Sequence, residues 1–142
     1  MKQYLLDTSV LLDLLLNRAL WAADAAVIWD AHRHSQIKVL VAAFSLPTIF
    51  YIVRKQAGLP AARTAVQACL TTIDIVPTDQ ATLLAAEALA GFDFEDDLQI
   101  ASAAQVGVDP IVTRDPRGFA ASQIPVLTPA DIVASLPGPT TP

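Results

Sequence analysis

The sequence predicts a parallel α/β fold, and three observations point to it. Short apolar runs alternate with segments of helical periodicity along the chain, the pattern of βαβ units. Two runs lead into aspartates: Tyr4-Leu5-Leu6 into Asp7, and Ile111-Val112-Thr113 into Arg114-Asp115. A third acidic group, Asp93-Phe94-Glu95-Asp96-Asp97, falls where a helix should begin. In a parallel sheet, the strand ends and the helix starts that follow them share one edge, and that edge carries the sites of such folds.

Each element has a local cause. Gln3–Leu6 is the expected first strand, and Thr8 or Ser9 the cap of a helix that spaces Val10, Leu11, Leu14 and Leu15 on one face. A second helix spans Trp21 to Arg33, followed by a strand over Ile37–Val41. The next helix starts near Ser45, with Pro47 tolerated in its first turn, and stops at Gly58, a residue suited to the position after a helix. Pro60 to about Thr71 is a further helix and Ile73–Val76 the third strand. Thr78 is placed to cap a helix ending near Gly91.

Asp93 and Asp96 have the spacing of an N-cap and its N3 partner, as in a capping box, on a helix that ends at Gly107. Asp109-Pro110 turns the chain into a fourth strand, and Ile124–Leu127 forms a short fifth. Thr128-Pro129-Ala130-Asp131 combines an N-cap, a Pro at N1 and an acid at N3, which starts a last helix running to about Leu136. Residues 1–136 make a single domain, and the Pro-rich stretch 137–142 is an expected disordered tail.

Composition narrows the function classes. A chain of 142 residues fits one domain with a full core. It is 54% hydrophobic, with a mean hydropathy of +0.47. Yet its longest charge-free stretch, Val39–Val53, carries Pro47 and falls short of the roughly 20 residues a membrane span needs. Met1-Lys2-Gln3 followed by an early Asp7 makes a poor signal peptide. Cys69 is the only cysteine, so no disulfide framework or thiolate metal site is expected, and it should pack in a helix. These features lead to the expectation of a cytoplasmic protein with no membrane association. A net charge of −5 argues against a general nucleic-acid binder but not against a nuclease, because acids that bind metal can cluster apart from bases that contact phosphate.

Carboxylates gathered at one sheet edge repel each other and call for a cation, and a set without Cys or His suits Mg²⁺ or Mn²⁺. Blander causes compete for each acid. Glu95 and Asp97 suit the helix dipole, worth roughly 0.3–1 kcal/mol each. Asp93 suits a cap, and Asp115-Pro116 suits a turn. It is the coincidence of Asp7, Asp96 and Asp115 on one edge that favours a site. Asp13 is expected on an exposed face, paired with Arg18. His32 and His34 lack a third ligand and are expected to be solvated. Trp21 and Trp29 are expected in the core or a dimer surface, not as base-stacking platforms.

Four stretches together resemble the PIN-domain family, the ribonucleases typified by VapC-type toxins of toxin–antitoxin modules. They are Leu6-Asp7-Thr8-Ser9-Val10, the helix start Asp93-Phe94-Glu95-Asp96-Asp97 with its continuation to Ala104, Ile111-Val112-Thr113-Arg114-Asp115, and Ile124-Pro125-Val126-Leu127-Thr128-Pro129. The resemblance covers about Lys2 to Leu136. It implies a three-layer fold with a central, mainly parallel sheet of four to five strands flanked by helices.

By the same resemblance, Asp7, Asp96 and Asp115 match the family's metal-binding acids. Ser9 and Thr113 match the hydroxyls that support them, and Asp93 matches an additional acid. The chain departs from the family where Thr48 occupies the position of the usual helix Glu, as in subgroups ending Tyr-Ile-x-Arg-Arg/Lys, matched here by Tyr51-Ile52-Val53-Arg54-Lys55. Gly118 stands where many members carry another Asp. Fewer acids imply weaker metal affinity and a possible loss of catalysis.

The resemblance implies metal-assisted hydrolysis of RNA, with Arg114 and Arg54 as candidate RNA contacts. Its expected partners are a small antitoxin and a second copy of the chain, the latter docked through the Trp21–Trp29 or Phe44–Ile52 helices. The alternative is a catalytically weak or inactive RNA- or partner-binding module. A phosphatase of the haloacid-dehalogenase type needs a second Asp two residues after Asp7, where this chain has Ser9.

Overall fold

The computed structural model describes residues 1–137. Its strands are β1 (Gln3–Leu6), β2 (Lys38–Ala42), β3 (Asp74–Val76), β4 (Ile111–Val112) and β5 (Val126–Leu127). Its helices are α1 (Thr8–Leu15), α2 (Ala22–Arg33), α3 (Ser45–Ala57), α4 (Leu59–Thr72), α5 (Gln80–Leu89), α6 (Phe94–Val106) and α7 (Pro129–Ser135), with a 3-10 turn at Pro116–Phe119. Of the expected tail, Pro137 is described and 138–142 lie outside the described residues. No described helix is long and apolar enough to cross a membrane.

All five strands are parallel, in the order β3-β2-β1-β4-β5. Leu5 of β1 pairs in register with Leu40 on one side and Ile111 on the other. These three pack under α6 with Phe119 of the 3-10 turn. The alternate residues Tyr4, Leu6, Val39 and Val41 face the opposite layer, built from α1 to α4 and α7. Strand positions covered on both faces of a parallel sheet are apolar, which is why Tyr4-Leu5-Leu6 of β1 reads as an unbroken apolar run. Cys69 is buried in that larger core and free.

Several local expectations change. Asp7, not Thr8 or Ser9, occupies the N-cap of α1, and its side chain makes no capping bond. Thr8 instead joins its hydroxyl to that of Ser45 at 2.7 Å. Asp79 caps α5, accepting from Thr82 N–H at 3.0 Å, while Thr78 accepts the N–H of Phe44. Helix α5 ends through Ala90 in the left-handed region. Gly91 serves a different need: its N–H donates to the buried Asp97 at 3.0 Å, and a Cβ there would collide with that carboxylate. Asp93 caps α6 by accepting from the N–H groups of Glu95 and Asp96, whereas the two-way capping box forms at Thr128 and Asp131 of α7.

Asp13 is not on an exposed face. It is 1% exposed, bonded to Arg18 at 3.3 Å and ion-paired to Arg114 at 2.8 Å. His32 is not merely solvated either. Its Nδ1 accepts the Val39 N–H at 3.0 Å, so the proton sits on Nε2, which donates to the Thr72 carbonyl at 2.6 Å. The ring thereby ties the end of α2 to β2 and to the last turn of α4. His34 is exposed, as expected. Replacing His32 by Ala should lower the unfolding free energy by about 1–3 kcal/mol, the cost of stranding half-buried backbone groups. A urea midpoint equal to wild type would show that the ring is idle.

Candidate active site

The strand order reverses direction at the β1/β4 boundary, since β2 and β3 lie on one side of β1 and β4 and β5 on the other. At such a boundary the loops leaving adjacent strands diverge and open a crevice. Asp7 leaves β1 there and Thr113 leaves β4. A cleft of about 470 Å³ opens at this point, lined by Asp7, Ser9, Asp96 and Thr113 together with Trp21, Arg114, Asp115, Arg117, Gly118 and Phe119.

Asp7 is held firmly. Its N–H donates to the Val112 carbonyl at 2.9 Å. Its Oδ2 accepts from Thr113 Oγ1 at 2.8 Å and from Ser9 Oγ at 3.1 Å. Burial raises the Asp7 pKa, the Thr113 and Ser9 hydroxyls partly offset that, and the charge of Asp93 adds to it. Gln99, one turn beyond Asp96 on α6, is 1% exposed and donates from Nε2 to Thr8 and Ser45 at 3.2 Å, with a longer contact to Asp7 Oδ1 at 3.4 Å. Sequence reasoning did not single out Gln99. Its signal was a lone amide between Leu98 and Ile100, three positions after Asp96.

Asp96 projects from the first turn of α6 against the 3-10 turn. A Cβ on Gly118 would stand 2.5 Å from Asp96 Oδ2, so any larger residue there would push that carboxylate aside or shift the turn. Burial pushes the Asp96 pKa up to about 6, helped by the charges of Asp93, Asp7, Asp97 and Glu95. Asp93 itself is exposed and uses its carboxylate on the α6 cap.

The other site residues fall into different places. Asp115 borders the same cleft, but its Oδ1 accepts from Arg117 Nε at 3.0 Å, which holds its pKa below the usual carboxylate range. Arg114 borders the cleft, and its guanidinium lies over the Trp21 ring at 4.8 Å. Trp21 is therefore a wall of the cleft and 43% exposed, not a core residue. Thr48 is half-buried on α3, one turn past Ser45, and does not line the cleft. Arg54 is exposed nine positions along α3 from Ser45, roughly 14 Å down the helix axis from the cleft edge.

This donor set fits a hard divalent cation at its centre. Asp7 and Asp96 are desolvated oxygen donors whose ionised forms are disfavoured, partly by the surrounding negative charge, and a cation would relieve that. Among the described residues, no three Asp, Glu, His or Cys side chains converge into a ligand cluster. Asp115 spends its Oδ1 on Arg117 and would join such a set through its other oxygen or on release.

A three-layer, all-parallel α/β protein with paired carboxylates at its switch point is thus the class that fold and site define. The chain belongs to the PIN-domain family, which it matches over residues 3–117. No curated protein matches the sequence. Solved structures with the same fold include the DNA-bound VapBC of Salmonella typhimurium (TM-score 0.72, 13% identity, covering 91% of this chain and 99% of that one). Another is Mycobacterium tuberculosis VapC20, described as a Sarcin-Ricin loop cleaving toxin (TM-score 0.69, 18% identity, 83% and 94% covered). A toxin–antitoxin complex from Klebsiella pneumoniae is also similar (TM-score 0.66, 22% identity, 89% and 97% covered).

The Asp96 shift makes a stability prediction. Because the folded pKa is raised, the favourable contribution is complete below the ordinary value of 3.8 and is lost as pH climbs through about 6. Without metal, Asp96→Asn should therefore melt a few degrees higher than wild type at pH 7.5. Solvent screening at this half-buried group limits the gain to about 1 kcal/mol. The difference should vanish near pH 4, and a variant that melts lower at pH 7.5 would contradict the electrostatic account. Gly118→Ala should displace the Asp96 carboxylate and lower divalent-metal affinity, as read by isothermal titration with Mn²⁺.

Proposed function

We propose that the chain is a divalent-metal-dependent endoribonuclease that hydrolyses RNA phosphodiesters, the toxin of a toxin–antitoxin pair. The observation that carries this reading is the pairing of two desolvated carboxylates, Asp7 and Asp96, in a cleft that Arg114 and Arg117 also line. Membership of the PIN-domain family supports it, as do the toxin–antitoxin complexes among the structures of the same fold.

Asp7 and Asp96 would hold Mg²⁺ or Mn²⁺, with Asp115 as a further ligand once freed from Arg117. When bound, the ion supplies a Lewis acid for the phosphoryl group and a positive field that favours hydroxide near neutral pH. The side chains have separate tasks. Ser9 and Thr113 donate to Asp7 Oδ2 and fix the carboxylate plane. Asp93 adds the negative charge that sharpens the demand for a cation. One of the carboxylates can also accept a proton from attacking water. Arg114 receives a phosphate of the substrate, and looped or single-stranded RNA fits best because its backbone can enter the cleft.

The working protein is a cytoplasmic homodimer, with a small antitoxin that covers the cleft and inserts a basic or polar side chain among the acids. A second reading, a PIN-fold binding module without catalysis, draws on one observation: Asp115 is engaged by Arg117 and does not converge with Asp7 and Asp96.

The deciding experiment is cleavage of a fluorescent single-stranded RNA panel in Mn²⁺, Mg²⁺ and EDTA, beside Asp96→Asn. Metal-dependent cleavage that falls at least about a hundredfold in the variant is expected, since metal ligation is worth several kcal/mol at the transition state. RNA binding without cleavage by either folded protein would select the binding module. Below pH 6, Mn²⁺ affinity should rise about tenfold per pH unit, because the ion displaces a proton from Asp96, and then level off.

A further inference from the structure

We propose that Asp13 and Trp21 are positioning residues that hold the Arg114 guanidinium as a preset phosphate contact on the basic wall of the cleft. The proposal rests on the reading of the cleft as an RNA site. Asp13 stands six positions after Asp7, on α1, and is 1% exposed. A carboxylate so buried is unfavourable unless cations are placed against it. Two are: Arg18 Nη1 donates to Oδ1 at 3.3 Å, and Arg114 Nε lies 2.8 Å from Oδ2. The Arg114 Nε–H is not aimed at that oxygen, so the contact is an ion pair and not an aligned hydrogen bond.

One carboxylate and two guanidiniums leave a surplus positive charge, and Arg114 presents it to the cleft. The Arg114 guanidinium is held from two directions, by Asp13 at Nε and by the Trp21 ring 4.8 Å from Cζ. Among the described residues, no side chain or carbonyl accepts from its terminal nitrogens. The free end of the fork is the part that matches a phosphate bidentately. Arg114 also follows Thr113, whose hydroxyl is bonded to Asp7. One short segment therefore fixes both Asp7 and the Arg114 guanidinium. Asp13 needs no contact with RNA for this role.

The test measures the affinity of a 5′-labelled single-stranded RNA by fluorescence anisotropy, in EDTA, across a salt series. The proteins are wild type, Asp13→Asn, Arg114→Ala, the double variant and Trp21→Leu. Asp13→Asn and Arg114→Ala are each expected to weaken binding about tenfold, the loss of one charge-assisted contact, and the double variant no more than either. Each should also flatten the salt dependence by about one phosphate contact. Trp21→Leu should weaken binding in the same direction. Additive losses, or wild-type affinity and salt slope in the Asp13 and Trp21 variants, would overturn the proposal. If Asp13→Asn does not fold, Trp21→Leu decides alone: a flatter salt slope supports the proposal and wild-type binding refutes it. RNA binding absent from the wild type in EDTA would defeat this proposal, while the ribonuclease reading stands or falls separately with the metal-dependent cleavage assay. Wild-type binding that survives the Asp13 and Trp21 changes defeats the positioning role only.

Discussion

The hydrogen bond from Thr113 to Asp7 is the contact on which the rest of the site depends. It joins the ends of the two strands between which the sheet changes direction. Without it, the carboxylate leaving β1 would keep only Ser9 and the longer Gln99 contact to offset its burial. With it, Asp7 stays fixed, Gln99 is drawn beneath it, and the Thr8–Ser45 bond locks α1 to α3 at the same level. The buried amide and hydroxyls form a polar floor under an otherwise apolar core, and the floor is what allows an acid at that depth.

Much of the architecture was legible because it follows from local chemistry. The apolar strands, the Gly58 and Gly107 stops and the Thr128-Pro129-Ala130-Asp131 start each carry their cause within a few residues, and each element formed close to where expected. Strand order was not legible, since nothing in β1 or β4 alone says that they are neighbours. The cap errors share one cause. Asp7, Thr8 and Thr78 are all able to cap, but each has a stronger distant partner, in Thr113, Ser45 and Phe44 respectively.

The same reasoning explains the misread side chains. Asp13 and Arg18 were paired correctly, but a pairing five residues apart looks like a surface feature until Arg114 arrives from β4. Trp21 was expected in the core or on a dimer surface, and only the tertiary path of Arg114 turns it into a cleft wall. Acids spaced along the chain indicate a shared edge, but whether a particular carboxylate points inward depends on rivals such as Arg117, whose reach the sequence does not display.

Gly118 couples the loop to the acid it faces. The space that a side chain at this position would need is filled by the Asp96 carboxylate. Any larger residue at 118 therefore either pushes that carboxylate aside or moves the Asp115–Phe119 loop outward, and Phe119, buried under the sheet, resists the second course. A residue with no chemistry of its own thus sets where one of the two acids stands.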